Sequence, residues 1–285
     1  MRYLVITDVH ANAVALDAVL RTKEALSCER VISLGDQVNF GPQPREVLRT
    51  LADRNALMLL GNHEERFAHL HEPSFGGYNW RSLHWTRRQT GRLDPAAFPT
   101  DVCIGCVLCT HGTPGSPYHL IESDGVPEQL ERLPEGVRVL LSGHNHKSWR
   151  VEAGDRLAVN PGSLGLWEEN AGGRAPFLVA DVQGDRAEIS RYTVSFDVDE
   201  VERQFLQSGL AQAAPEMSRA VLQTLRRGTF MAVANLVRGV QRHAVECGGS
   251  IGDEEIWKAV DRVWPWEEAV TSEEFWHQRR RRWHG

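Results

Sequence analysis

Short apolar runs, each ended abruptly by a polar cluster, constrain the fold of this chain most strongly. The runs hold four or five residues, as in Tyr3-Leu4-Val5-Ile6 and Val31-Ile32-Ser33-Leu34, and this pattern predicts buried strands. The clusters that follow are Asp8-Val9-His10, Gly35-Asp36, Gly61-Asn62-His63, His111-Gly112 and Gly143-His144-Asn145-His146. Because strand ends can meet at one edge of a sheet, we expect these distant clusters to converge.

Between the clusters, the pattern alternates between strands and helices up to about residue 194. Asn12 can cap a helix that carries Leu16, Val19, Leu20 and Ala25 at helical spacing, and Pro44 opens a second helix before a strand over 56–60. Residues 66–100 are rich in Trp, His, Arg and Pro and predict short helices and loops over the site, as in a lid. The remaining segments predict further strands at 102–104, 107–110, 137–141, 157–159, 177–180 and 188–194. This rhythm is typical of a layered α/β protein.

The hydrophobic period changes beyond about Asp197. Apolar positions at 201–206, 217–225 and 230–240 recur at helical spacing and predict amphipathic helices. We therefore predict a core over 1–197 and a helical extension over 198–285 that packs on it. The extension ends with Trp257, Trp264, Trp266, Trp276 and Trp283 and the arginine run 279–282. The simplest interpretation is that the tryptophan rings pack the helices onto the core and that the arginines are solvated. The alternative is that this segment forms a cap that binds a ligand or a partner.

Composition excludes some classes of function. The formal net charge of −6 over 285 residues does not favour a nucleic-acid-binding surface, although it does not exclude one. The first apolar stretch is too short for a signal peptide or a membrane span, so we expect a cytoplasmic protein that does not contact a membrane. Cys103, Cys106 and Cys109 are spaced three apart, but no second ligand pair has zinc-site spacing, which favours small buried thiols.

The clusters contain side chains that suit divalent metals. Asp8 and His10, like His144 and His146, stand two positions apart and can project from the same face of an extended segment. Carboxylate and imidazole ligands together suit manganese, iron or zinc. A carboxylate between two ions can bridge them with its two oxygens, and Asp36 is the natural candidate because it follows a buried strand and a permissive glycine.

The order of the five clusters resembles that of the calcineurin-like metallophosphoesterases. Members of this family carry Asp-x-His, Gly-Asp, Gly-Asn-His-Asp/Glu, a His and Gly-His-x-His in this order, and all five are present over roughly residues 1–195. Further similarity lies in the segments 35–42, 85–86, 111–114 and 160–163. The resemblance implies an α/β fold, a four-layer αββα sandwich, here followed by the C-terminal helical extension.

The resemblance also implies two divalent metal ions, with manganese expected first and iron or zinc as alternatives. One ion would be held by Asp8, His10, Asp36 and His146, and the other by Asp36, Asn62, His111 and His144. His63 would remain unligated and act as a proton donor or a positive contact to the phosphoryl group, with a bracing role beside the metals as the alternative. The implied reaction is hydrolysis of a phosphate ester by in-line attack of a metal-bridging hydroxide, with Asp36 and His63 as catalytic residues.

The sequence departs from the protein phosphatase branch directly after Asp36. That branch carries an Asp-Arg pair whose arginine grips phosphate, whereas Val38-Asn39-Phe40 stands here. The chain is more similar to a branch of small phosphodiesterases that act on nucleotides and cyclic nucleotides, so we expect a small or nucleotide-like phosphodiester as substrate. Asn39 and Asn12 are candidate substrate contacts, although a turn-forming Asn39 and a helix-capping Asn12 are the simpler interpretations.

Three alternatives stay open on the sequence alone. The chain could be a phosphomonoesterase or protein phosphatase, or a nuclease that uses Arg87, Arg88 and the arginine run 279–282. It could also be a non-catalytic scaffold with this fold, although no ligand position has been lost. The oligomeric state and the role of the C-terminal tryptophans and arginines do not follow from the sequence.

Overall fold

The computed structural model describes residues 1–167, 172–228 and 232–267. Its strands are β1 (Arg2–Ile6), β2 (Arg30–Ser33), β3 (Leu57–Met58), β4 (Asp101–Ile104), β5 (Val107–Thr110), β6 (Val139–Leu141), β7 (Trp149–Ala153), β8 (Arg156–Asn160), β9 (Arg174–Gln183) and β10 (Arg186–Ser195). Its helices are α1 (Ala13–Leu20), α2 (Lys23–Leu26), α3 (Pro44–Asp53), α4 (Asn62–His69), α5 (Arg81–Thr90), α6 (Val126–Glu131), α7 (Val198–Gln207), α8 (Leu210–Ala213), α9 (Pro215–Arg227), α10 (Ala232–Cys247) and α11 (Glu254–Asp261).

Two five-stranded mixed sheets form the centre of the fold. One has the strand order β10-β9-β1-β2-β3 and the other β4-β5-β6-β8-β7. The strands β1, β2 and β3 run parallel in the first sheet, and β5, β6 and β8 run parallel in the second. The five polar clusters follow the carboxyl ends of β1, β2, β3, β5 and β6, so parallel pairing brings them to the same end of both sheets.

The alternation of side chains along the strands explains the layers. Tyr3 and Val5 of β1 belong to the apolar cluster between the two sheets, whereas Leu4 and Ile6 belong to the cluster that packs against α1, α3 and the C-terminal helices. In the second sheet, Leu108 points away from the first sheet and packs against α6. Successive residues of a strand face opposite sides, so both faces of each sheet are covered. The predicted four-layer αββα sandwich is confirmed.

Most predicted elements occur, with differences at their ends. Asn12 caps α1 by accepting a hydrogen bond from the backbone N–H of Ala15, and Pro44 opens α3. The predicted strand over 56–60 is reduced to the two residues of β3, and Ala25 lies in the separate helix α2. The predictions missed β7. It is an edge strand of the second sheet, and its alternating polar residues give it no continuous apolar run.

The cysteine hairpin also differs from its prediction. A turn at Gly105 joins β4 to β5, and Cys106 and Cys109 are buried as expected. Cys103 is exposed, because it lies on the edge strand β4, and its predicted burial was wrong.

The C-terminal helices pack on the first sheet through a shared apolar cluster. Phe205 of α7, Leu236 of α10 and Trp257 of α11 belong to the same buried cluster as Ile6 and Leu16. Trp264 is buried and Trp266 partly buried there, which confirms the packing role predicted for the tryptophans that are described. Phe230, Trp276, Trp283 and the arginine run 279–282 lie outside the described residues. The division into two domains at residue 197 stays a prediction.

A buried ion pair ties the segment 66–100 to these helices. Arg81 at the start of α5 pairs with Glu216 of α9, and its guanidinium lies 3.4 Å from the centre of the Tyr78 ring and 4.9 Å from that of Trp257. Burial lowers the pKa of Arg81 to about 10, which leaves it charged at neutral pH. The segment predicted to cover the site is therefore anchored to the extension.

Within the ranges that the structure describes, no helix combines the length and the apolar character needed to cross a bilayer.

Candidate metal centre

The structure brings the predicted ligands together in three overlapping groups. They are Asp8, His10 and His146; His10, Asp36 and His63; and Asp36, His111 and His144. Within each group, the candidate ligand atoms lie within 4.8 Å of one another. Because His10 and Asp36 are each shared by two groups, the three groups form one continuous cluster of imidazoles and carboxylates.

The first half of the cluster has the spacing of ligands around one ion. The Nε2 atoms of His10 and His146 lie 2.9 Å apart, and His146 Nε2 lies 3.4 Å from Asp8 Oδ1. Bonds of about 2.0–2.1 Å to a divalent ion place neighbouring donor atoms roughly 3.0–3.4 Å apart. The third pair, His10 Nε2 and Asp8 Oδ1, lies 3.9 Å apart, so the three atoms surround a space that fits a cation.

The second half centres on Asp36 Oδ2. His111 Nε2 lies 3.4 Å from this oxygen and 3.1 Å from Asn62 Oδ1. His144 approaches with Nδ1, because its Nε2 bonds to the carbonyl oxygen of Tyr118 at 3.1 Å. In the same way, His111 Nδ1 bonds to the carbonyl oxygen of Leu34 at 3.0 Å, which leaves its Nε2 for the cluster.

The orientation of the Asn62 amide depends on what fills the cluster. Its Oδ1 faces acceptor atoms of Asp36, His111 and His144, whereas the amide turned by 180° would donate to them and accept from Arg66 Nη1 at 3.0 Å. An oxygen surrounded by acceptors is unfavourable unless a cation lies between them. The orientation with oxygen inward is therefore the one that a bound metal ion requires.

Asp8 provides an independent test of whether a cation fits. Its Oδ2 accepts hydrogen bonds from Thr7 Oγ1 at 2.6 Å and from the backbone N–H of His144 at 3.0 Å. Its Oδ1 is fully buried and has no hydrogen bond among the described residues. A buried carboxylate oxygen that faces two imidazoles without a donor is satisfied by a metal ion.

Asp36 faces both halves of the cluster with a single oxygen. Its Oδ1 accepts the backbone N–H of His63 at 2.9 Å, whereas Oδ2 lies 3.9 Å from His10 Nε2 and 3.4 Å from His111 Nε2. The start of α4 thus engages one oxygen of Asp36, and the bridge through both oxygens stays a prediction.

Electrostatics leaves most of the imidazoles neutral. Burial and the neighbouring His146 lower the pKa of His10 to about 4, and burial also lowers the pKa values of His63 and His144. His111 is the exception: burial would lower its pKa, but Asp36 and Asp8 outweigh burial and raise it to about 9. Without metal, His111 is therefore protonated at neutral pH.

Glu64 holds the loops of the cluster in register. This buried carboxylate accepts the backbone N–H groups of Asp36 at 2.9 Å, Val38 at 3.2 Å and Gly61 at 3.1 Å. Burial and the charge of Asp36 raise the pKa of the Glu64 carboxyl to about 8. A side chain at Gly61 would put its Cβ 2.2 Å from the backbone nitrogen of Asp36, so only glycine permits this approach.

His63 is oriented by Asn39. The Asn39 side chain accepts a hydrogen bond from Ser82 Oγ at 3.0 Å, which turns its Nδ2 toward His63 Nδ1 at 2.8 Å. With Nδ1 as the acceptor, the ring proton of a neutral His63 resides on Nε2, which lies 3.7 Å from Asp36 Oδ2. The Phe40 ring packs at 4.7 Å from His63 and at 5.0 Å from His10.

Asn12 lies beside the cluster but does not line its cavity. Besides capping α1 through Oδ1, it donates from Nδ2 to the carbonyl oxygen of Gly165 at 3.1 Å. Both polar atoms of this buried side chain therefore bind the protein's own backbone.

A cavity of about 480 Å³ opens from the cluster. Besides Asp36, Asn62, His63, His144 and His146, residues that sequence reasoning missed line it: Arg66, Leu120, Lys147, Val233, Val237 and Arg238. Arg66 follows Asn62 by four positions on α4 and so shares its face of the helix, but the sequence predicted short helices only from about residue 66. Nothing in the sequence pattern distinguishes Arg238 from any other exposed arginine of an amphipathic helix.

Comparison with known proteins agrees with this geometry. Residues 1–185 match the calcineurin-like phosphoesterase superfamily domain. An uncharacterised protein of Methanocaldococcus jannaschii is 24% identical over 233 residues, which cover 73% of this chain and 93% of that protein.

Two solved structures share the fold. A metallophosphoesterase from Sphaerobacter thermophilus is 23% identical with a TM-score of 0.61, covering 78% of this chain and 100% of that one. A hypothetical protein from Pyrococcus horikoshii is 18% identical with a TM-score of 0.64, covering 80% and 99%.

Proposed function

The chain belongs to the calcineurin-like phosphoesterase superfamily, whose members depend on metal ions, and from this premise we propose that it is a dinuclear phosphodiesterase for small or nucleotide-like phosphodiesters. The observation that carries the proposal is the position of Asp36, whose Oδ2 faces imidazoles of both halves of the cluster. A carboxylate placed between two sets of imidazole ligands suits a pair of divalent ions better than a single ion.

In this proposal, Asp8, His10, Asp36 and His146 hold one ion, and Asp36, Asn62, His111 and His144 hold the other. Manganese is the metal that we propose first, with iron or zinc as alternatives. A bound pair of such ions supplies the activation of water and the neutralisation of charge that phosphate ester hydrolysis requires. The orphaned Oδ1 of Asp8 and the inward Oδ1 of Asn62 support these assignments.

His63 then acts as the proton donor to the leaving alkoxide. Because Asn39 donates to its Nδ1, the proton of the neutral ring is held on Nε2, on the side that faces Asp36 and the cavity. A donor of this kind does not need a charged imidazole, which agrees with the lowered pKa of His63. Asn39 is thus a positioning residue for His63, which replaces the direct substrate contact suggested by the sequence.

Arg66 is proposed as the cationic contact to the phosphoryl oxygens. It lies one helical turn after Asn62, lines the cavity, and its guanidinium stands 5.7 Å from the centre of the Trp80 ring and 5.8 Å from that of Tyr118. The two aromatic rings limit the directions that the guanidinium can take. It supplies a positive charge, as the arginine of the Asp-Arg pair does in the protein phosphatase branch.

The preference for diesters is proposed from the surroundings of the cluster. Phe40 stands at the sequence position where the protein phosphatase branch carries an arginine, and it lines the cavity together with the apolar side chains of Leu120, Leu166 and Val237. These surfaces suit an esterified phosphate with two substituents better than the free dianion of a monoester. The presence of Arg66 in the cavity favours the second candidate, a phosphomonoesterase, because a cation beside the metals also suits the dianion of a phosphate monoester.

Hydrolysis of paired aryl esters tests the proposal. Protein loaded with manganese is assayed on bis(p-nitrophenyl) phosphate and on p-nitrophenyl phosphate, and we expect a larger kcat/KM for the diester. A larger kcat/KM for the monoester, or for a phosphopeptide, would select the second candidate. Metal binding without turnover of either ester would select the non-catalytic scaffold. The cytoplasmic location stays a prediction.

A further inference from the structure

Resting on the proposed function, we infer that helix α10 of the C-terminal extension forms a second substrate subsite. In this subsite, Arg238 and Lys147 bind a second anionic group of the substrate, and Val233, Val237 and Leu120 contact the apolar part between the two anions. The substrate class that fits is a nucleotide with a phosphodiester at the metal centre and another phosphate some distance away.

The geometry of α10 carries the first step. Its cavity-lining residues Val233, Val237 and Gln241 are four positions apart, and Ala234 and Arg238 follow one position behind, so they form a single stripe along the helix. The adjoining face of the helix is buried in the main apolar cluster through Leu236 and Val240, and Val233, at the border of the two faces, belongs to that cluster as well. Packing of the buried face fixes which residues α10 presents to the cavity.

The charges around the cavity carry the second step. Three cations line it, Arg66, Lys147 and Arg238, against one acidic side chain outside the metal cluster, Glu122. Lys147 Nζ lies 3.7 Å from Glu122 Oε2, a partly exposed pair whose energy is small. In a protein with a formal net charge of −6, this concentration of positive charge favours an anionic ligand.

Arg238 is placed to bind a group at the outer part of the cavity. Its side chain is exposed, and among the described residues its hydrogen bond is a long one, from Nη1 to Asn235 Oδ1 at 3.5 Å. Arg66 belongs to the inner part, because it follows Asn62 of the metal cluster by one turn of α4. The cavity therefore has an inner cation for the reacting phosphate and outer cations that the reaction itself does not use.

The cavity also has an apolar lining. Leu120 is 51% exposed, an unusual environment for a leucine, and lines the cavity together with Val233 and Val237 of α10. A volume of about 480 Å³ lies in the range of sites that bind ligands the size of a nucleotide. An apolar lining in a cavity with several cations suits a sugar or base that carries two phosphates.

Two substrates that differ by one phosphate provide the test. Thymidine 5′-(p-nitrophenyl phosphate) and its 3′-phosphorylated counterpart are hydrolysed by manganese-loaded protein, and kcat/KM is compared. We expect the second phosphate to raise kcat/KM about fivefold, as for a partly exposed ion pair. The ratio should fall toward one in Arg238→Ala and stay largely intact in Arg238→Lys. Arg262→Ala, which removes an exposed arginine of the extension outside the cavity, should leave the ratio unchanged.

Binding without turnover separates this inference from the proposed function. Thymidine 3′,5′-bisphosphate should bind the manganese-loaded protein about fivefold more tightly than thymidine 5′-monophosphate by calorimetry, and Arg238→Ala should remove the difference. If that pattern holds while neither ester is hydrolysed, the subsite stands and the phosphodiesterase proposal falls. Equal binding of the two ligands to the wild-type protein, or a preference that survives in Arg238→Ala, would overturn the subsite.

Discussion

The two walls of the cavity, the strand-end loops with the metal ligands and the helix α10, are built in opposite ways. The ligand loops contain residues in the left-handed backbone region: Asp8, His10, Ala11, Asp36, Asn39, Phe40, His144 and His146, with φ between 45° and 70°. Among the described non-glycine residues, Asn55 is the remaining one with positive φ. Helix α10 has regular helical geometry and is held by ordinary apolar packing.

This difference teaches where the protein concentrates conformational strain. A left-handed conformation of a non-glycine residue costs about 1–3 kcal/mol when the surroundings impose it, and less for Asn, Asp and His. Glu64 and the carbonyl group of Leu34 hold the ligand loops by hydrogen bonds that leave little freedom. The loops are therefore suited to fixed chemistry, whereas α10 can change its exposed stripe without disturbing its packing. We expect reaction chemistry to depend on the first wall and substrate choice on the second.

The largest effect is expected at Asp36. Asp36→Asn keeps the shape and the hydrogen bond to the His63 backbone but removes the charge that both halves of the cluster share. We expect kcat to fall by more than about a thousandfold, with loss of bound manganese measured by elemental analysis and little change in the far-ultraviolet circular dichroism. Retained activity with a full metal content would refute the role of Asp36 as the bridge.

His63 should affect catalysis without affecting metal content. If it donates a proton to the leaving group, His63→Ala should lower kcat about a hundredfold for a diester with an alkoxide leaving group. The loss should be much smaller for a p-nitrophenyl leaving group, which departs without a proton. Asn39→Leu, which removes the bond that orients His63, should show the same selectivity with a smaller loss. Loss of manganese from His63→Ala would instead make His63 a ligand.

The contrast between the two walls also explains what sequence reasoning could reach. The ligand clusters follow buried strands, and parallel pairing of β1, β2 and β3 and of β5 and β6 carries them to one end of the sheets. The prediction that they converge required only the apolar pattern of the strands and the order of the motifs. The ring of Phe40 and the bond from Asn39 to His63 could not be predicted, because they depend on loop conformations that tertiary contacts impose.

The other wall was beyond sequence reasoning for a different reason. The spacing of Leu236, Val240 and Ala244 predicts that one face of α10 is buried. An amphipathic pattern does not show which part of the protein covers that face. Arg238 became significant only when packing placed its stripe beside the metal cluster. The same holds for Arg81 and Glu216, which are separated by 135 residues and form a buried pair.

Mutation of that buried pair should destabilise the C-terminal helices without changing the ligand loops. Glu216→Gln leaves the Arg81 charge buried without its partner, and we expect the free energy of unfolding to fall by about 3 kcal/mol, with a decrease in Tm of roughly 5–10 °C. Manganese content should be unchanged, because the ligand loops do not depend on this pair. Glu267→Gln, which breaks the exposed pair with Arg227, is the matched control and should shift Tm by about 2 °C or less. An equal loss in both variants would show that the Arg81–Glu216 pair does not anchor the extension.

The smallest effect concerns a single proton in the ligand loops. In the metal-free protein, burial would lower the pKa of His111, but the carboxylates of Asp36 and Asp8 raise it to about 9. Metal binding at pH 7.5 must displace this proton, so we expect release of about one proton from His111, measured by calorimetry in buffers with different heats of ionisation. The Asp36→Asn variant should release less, because the charge that raises the pKa has been removed.

The same proton gives the metal-free protein a predictable stability profile. Because the folded pKa of His111 lies above its unfolded value of about 6.5, its contribution to stability is complete below pH 6.5 and is lost as the pH rises through 9. Metal-free protein should therefore have a lower Tm at pH 9.5 than at pH 7. Metal-loaded protein should not show this loss, because a bound ion has already replaced the proton. If the Tm of the metal-free protein does not change over this range, His111 is already neutral at pH 7. Asp36 and Asp8 would then not raise its pKa.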